Sequence, residues 1–164
     1  MLNVNVADGP ATLRAAVVAM KRADAEVRRD VAGRMRETMN PVWRQEVTER
    51  AGGGMAGRIL TAGVRIASGN PAQLIAANSS RKIGRGLVPS RHWAGYEYGA
   101  GEGIRTVASS KGNRYRRHVM RHLPARTADG RAIEPAVRAV LPRIASFWVQ
   151  SVVRAFMDAA DGKG

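Results

Sequence analysis

His118 and His122 stand four residues apart, a spacing that would put both imidazoles on one helix face and let them grip a metal ion. No carboxylate or third histidine follows at a useful spacing, and His92 is remote in sequence, so the pair reads as polar surface groups. Gly99-Ala100-Gly101-Glu102-Gly103 superficially evokes a dinucleotide loop but lacks the third glycine at the required spacing, and no helix is predicted to open from it. Ala51-Gly52-Gly53-Gly54 is not followed by the Lys-Ser/Thr pair that a phosphate-cradling loop needs. Glu97 lies between Tyr96 and Tyr98, and no second carboxylate is near enough in sequence for paired acid-base chemistry. It is expected to pair with an arginine of its own or of a neighbouring subunit. None of the serines sits in a nucleophile elbow. The chain has no cysteine, which removes disulfides, thiolate metal sites and thiol nucleophiles. No enzyme, metal or cofactor is expected from these residues.

Charge is the stronger signal. The net charge is +14, and the segment from Arg81 to Arg131 holds twelve Lys or Arg against three acids, +9 of that total. Two clusters stand out: Arg81, Lys82 and Arg85 in a glycine-marked loop, and Lys111, Arg114, Arg116, Arg117 and Arg121 around Tyr115. Such density suits an exposed surface facing an anionic partner, either nucleic acid or an acidic protein. Arginine outnumbers lysine 23 to 4, so an arginine-biased proteome accounts for part of the excess. No helix-turn-helix, RNP aromatic pair or zinc finger is visible, and any contact with nucleic acid should be electrostatic and independent of sequence.

The elements that position these residues follow from periodicity. Leu13, Val17, Met20, Val27, Val31, Met35 and Met39 recur at three, four or seven residues and predict one long helix over about 9–50, kinked at Asn40-Pro41. Gly63 to Ser68 and Ala72 to Asn78 flank Gly69-Asn70-Pro71 and read as a hairpin. Arg91 to Tyr98 alternates apolar and polar residues and predicts a third strand, in which Trp93, Tyr96 and Tyr98 pack as core or as a subunit interface. Ile104 to Ser109 predicts a fourth strand. A basic segment over about 111–130 leads to a C-terminal helix over about 131–160. Its apolar face runs from Ile133 through Val140, Ile144 and Trp148 to Phe156, with Pro142 expected to kink it or split off its first turns. The predicted whole is a single α+β domain with a small antiparallel sheet of about four strands between two long helices. No apolar run is long enough for a transmembrane helix, and Met1 to Pro10 lacks the basic region of a signal peptide.

This order of features resembles the neck and tail-completion proteins of long-tailed bacteriophages, also called head-tail joining or minor tail proteins. The resemblance is carried by Trp93-Ala94-Gly95-Tyr96-Glu97-Tyr98-Gly99-Ala100, which matches the family's aromatic-x-x-Tyr/Phe-Glu-aromatic-Gly-small strand. It extends to His122-Leu123-Pro124-Ala125-Arg126 and Ile133-Glu134-Pro135-Ala136, which introduce the last helix. The family's Arg-Thr-Gly-Arg-Leu entry to the first strand is absent, with Met55-Ala56-Gly57-Arg58-Ile59-Leu60 the nearest echo. The resemblance implies a non-enzymatic virion protein, made in the host cytoplasm and assembled as a ring, commonly six-fold, at the head-tail junction. Its partners would be copies of itself, neighbouring neck, portal-side or tail-tube proteins, and genomic DNA in the channel, with no membrane contact. Trp93, Tyr96, Glu97, Tyr98 and Gly99 would then serve the core or the subunit interface. The two arginine clusters would face DNA or an acidic ring.

Overall fold

The computed structural model describes residues 11–101, 103–119 and 122–161. The N-terminal stripe forms helices as expected, but the chain turns earlier than Pro41. Helix α1 (Ala11–Arg22) stops before Asp24, whose extended backbone and carboxylate restart the chain as α2 (Ala25–Arg34). The Asp24 carboxylate accepts from the N–H groups of Glu26 and Val27 at 3.1 and 2.9 Å, satisfying donors that a first turn leaves orphaned. Arg28 donates to the Ala23 carbonyl at 2.6 Å.

Pro41 does not break the helix. The preceding turn, Met35–Met39, widens to a π-turn in which the Asn40 N–H bonds back to the Met35 carbonyl, and α3 (Asn40–Ala51) follows with Pro41 in its first turn. A proline ring collides with the carbonyl four residues before it in a regular α-helix, and a wider turn relieves that collision. The freed side chain of Asn40 accepts from the Ile66 N–H at 2.9 Å, and the Trp43 indole donates to the Ile75 carbonyl at 3.0 Å. Both bonds pin a hairpin to the helix: β1 (Arg65–Ala67) pairs antiparallel with β2 (Gln73–Ile75), Ile66 opposite Leu74, around the predicted Gly-Asn-Pro turn. A short helix, α4 (Gly54–Leu60), packs on α3 and buries Ile59 and Leu60.

The last helix, α6 (Ile133–Ala160), continues through Pro142, so the proline does not split off its first turns. Pro142 is exposed, so the ring sits on the water side of the helix while Val140, Ile144, Trp148 and Val152 line the buried side. Helices α1, α2 and α3 all pack on α6, and the core is the meeting of Met20, Val31, Met35, Trp43 and Val47 with that face. Arg34 binds Asp30 at 2.8 Å and Asp158 at 2.7 Å, tying the end of α2 to the end of α6.

The α+β class stands, but among the described residues the strands form two separate two-stranded sheets rather than one of four. The predicted third strand is a helix, α5 (Pro89–Glu97). Trp93, Tyr96 and Glu97 lie at helical spacing, and Pro89 pre-sets the first turn with Val88 extended before it. The segment predicted over about 111–130 contributes a strand instead. β3 (Gly103–Ala108) pairs antiparallel with β4 (Arg114–Val119) across a Ser109–Asn113 turn, in which Gly112 takes φ +81°.

Candidate functional site

The aromatic motif builds a structural clamp. Glu97, the last residue of α5, is fully buried, and its carboxylate faces the N-terminus of α6. It accepts from the backbone N–H groups of Arg131 (3.2 Å), Ala132 (3.1 Å), Ile133 (3.0 Å) and Glu134 (2.9 Å). The last three are donors that a helix leaves unpaired at its start, and Ala132 at the cap position has no polar side chain to satisfy them. A carboxylate there also meets the positive end of the helix dipole. Gly130 makes room for it, since a Cβ at that position would collide with Glu97 Oε1. The partners of Glu97 are therefore amide groups, not the arginine expected. The Arg131 guanidinium instead donates to the Ala125 carbonyl at 2.6 Å.

The neighbours complete the clamp. The Tyr98 hydroxyl donates to the Glu134 carboxylate at 3.1 Å. Burial, then the Glu134 contact, and then the nearby charges of Glu134 and Glu97 push the Tyr98 phenol above its ordinary range. Gly99 holds φ +72° where α5 ends, and a Cβ there would strike the Ala125 and Pro124 carbonyls. Tyr96 is buried with its ring 6.4 Å from that of His122, and Trp93, half-buried, stacks at a tilt on Tyr98 at 5.9 Å. The five residues singled out by sequence thus converge, on a helix end and not on a strand.

The basic clusters lie on other segments, a loop and a hairpin. Arg81 and Lys82 are exposed on a loop closed by bonds from Ser90 N–H to the Ser79 carbonyl and from Ile83 N–H to the Leu87 carbonyl. The Arg85 side chain and the whole of Arg121 lie outside the described residues. Lys111, Arg114, Arg116 and Arg117 are exposed on the turn and second strand of the β3–β4 hairpin. Strand register adds a residue the sequence reading did not select: Arg105 on β3 sits directly opposite Arg117. The turn residues after Ser109 and the alternating Arg-Tyr-Arg that follows were the available signal. Ile104 and Tyr115 are 49% and 48% exposed, so the hairpin carries apolar surface as well as charge. Among the described residues no carboxylate pairs with Arg105, Lys111, Arg114, Arg116 or Arg117.

His118 belongs to β4 and His122 lies beyond that strand's end, so the two are not neighbours on a helix. Among the described residues no three His, Asp or Glu side chains converge as metal ligands would. An open cavity of about 310 Å³ lies beside α2, the π-turn and the β1–β2 turn. Its described lining includes Ser68, Arg28 and Arg36 but no histidine or carboxylate that could activate a nucleophile. A second concave surface runs between α1 and α6, walled by Ala15, Ala19, Val153, Phe156 and Met157, the last 64% exposed. Among the described residues no helix is long and apolar enough to cross a membrane. No family model, curated protein or solved structure matches the chain.

Proposed function

We propose that this chain is a structural protein of a tailed bacteriophage virion, assembled as a ring at the head-tail junction around the DNA exit channel. The observation that carries the reading is the β3–β4 hairpin, a basic arm whose arginines have no acidic partner within the described chain. An isolated two-stranded ribbon is marginal in water, and one with Arg105 opposite Arg117 is less favourable still. A partner of opposite charge would stabilise it, and a DNA channel supplies one. The uncovered apolar strip of Val153, Phe156 and Met157 gives the same body a surface for copies or neighbouring rings to cover. The aromatic motif folds as a helix end, so the resemblance supports the reading through residue pattern and through the segment leading into α6, not through a shared strand. A tail-terminator or head-closure ring is a variant of the same role.

The second reading is a sequence-independent nucleic-acid-binding accessory protein, which the hairpin also favours. Deleting the gene from the phage genome separates the two. The ring reading expects filled heads and finished tails that fail to join in the lysate, whereas an accessory role expects complete particles.

A further inference from the structure

We infer that the β3–β4 hairpin is a groove-binding arm for double-stranded DNA, with Arg105 and Arg117 gripping one phosphate row and Arg114 and Arg116 the other. The inference rests on reading the hairpin as the arm that faces the genome, and it names what that arm recognises.

The register divides the ribbon into two faces. Arg105, Val107, Tyr115 and Arg117 share one, and Ile104, Thr106, Ala108, Arg114 and Arg116 share the other. An acidic protein surface would meet one face of such a ribbon and leave the arginines of the other unmatched. Duplex DNA presents two rows of phosphates with a groove between them. The major groove is about 12 Å wide and admits a two-stranded ribbon. A ribbon standing on edge in it turns one face to each row, so arginines are useful on both.

Length and tip agree. Six residues per strand give a ribbon of about 17–20 Å, enough to run edge-on along the groove past more than one phosphate of each row. The turn carries exposed Lys111, and Ser109, Ser110 and Gly112 keep it narrow. Arg105 and Arg117 repel each other when unliganded, and a phosphate between them converts that repulsion into a shared contact. Tyr115 and Ile104 supply apolar surface for sugars and thymine methyl groups, which adds contact area without reading a defined sequence.

The experiment uses the full-length protein and a mixed-sequence DNA duplex, with binding followed by fluorescence anisotropy as salt is raised. Each phosphate neutralised contributes about −0.9 to the slope of log affinity against log salt. The triple variant Arg114→Gln, Arg116→Gln, Arg117→Gln should therefore have a slope shallower by about 2.7. Between about 50 and 200 mM salt, wild type should lose about 40-fold more affinity than the variant. The pair Arg105→Gln, Lys111→Gln serves as an independent set, because all five side chains are exposed and circular dichroism reports whether each variant folds. Polyglutamate at matched charge stands in for an acidic protein, and dimethyl sulfate protection of guanine N7 reports occupancy of the major groove. Shallower slopes, weak competition by polyglutamate and N7 protection are the expected results. Unchanged slopes in both variants, equal competition by polyglutamate, or unprotected N7 would each overturn the inference. Because binding is measured on purified protein, failure here leaves the head-tail joining result standing, and failure there leaves this one standing.

Discussion

The backbone N–H of Glu134 lies 2.9 Å from the buried Glu97 carboxylate, and this contact joins the end of α5 to the first turn of α6. Three further amides converge on the same carboxylate. A residue 37 positions away therefore caps the longest described helix. Glu97→Ala should lower stability by about 2–4 kcal/mol, from loss of the cap and from buried N–H groups left unpaired. For a chain of this size the unfolding midpoint should fall by about 5–15 °C in a thermal melt. An unchanged midpoint would contradict the cap.

Tyr98 makes the clamp sensitive to alkali. Its phenol is held above the ordinary value of 10.0, first by burial and then by the bond to Glu134, so the folded state favours the neutral form. The corresponding stability is fully present below the unfolded value of about 10 and is lost as pH rises through the folded one. Urea midpoints of wild type and Tyr98→Phe should converge as pH rises from neutral to about 11, with wild type the more stable at neutral pH. Curves that stay parallel would show that the hydroxyl contributes nothing.

Tyr96 and Trp93 should not behave alike. Tyr96 is buried and Trp93 half-buried, so Tyr96→Ala should cost about 3–5 kcal/mol and Trp93→Ala distinctly less. Chemical denaturation of the two variants gives the order. The reverse order would place the core on the wrong side of α5.

These residues show what the sequence revealed and what it hid. The stripe from Leu13 to Met39 and the face from Ile133 to Val152 were legible because period alone decides which side of a helix is buried. The Gly69-Asn70-Pro71 turn was legible from its turn residues. Trp93 to Tyr98 fitted two periods at once over a short span, and the proline start at Pro89 was the signal that decides for the helix. The break at Asp24 and the π-turn before Pro41 both depend on where backbone donors find acceptors. Glu97 stood out as unusual, but its partners are amides, which leave no trace in side-chain identity. Arg105 became part of the basic arm only through its register with Arg117.

The hairpin should be an appendage in energetic terms. Its strands pair with each other, and the buried core lies in the helices and the first hairpin. Replacing residues 104–118 by a short Gly-Ser link should leave helical circular dichroism unchanged and shift the midpoint by no more than about 2 °C, while abolishing joining of heads to tails. A collapse of the helical signal would show that the arm is part of the fold.

The central claim is a ring around the genome channel, and a symmetry-resolved cryo-electron microscopy reconstruction of the phage particle tests it most directly. The account predicts a closed ring of this chain at the head-tail junction, with the α1–α6 strip covered and the β3–β4 hairpins turned toward the axial DNA. A single copy off the symmetry axis, or a ring whose hairpins point away from the channel, would contradict it.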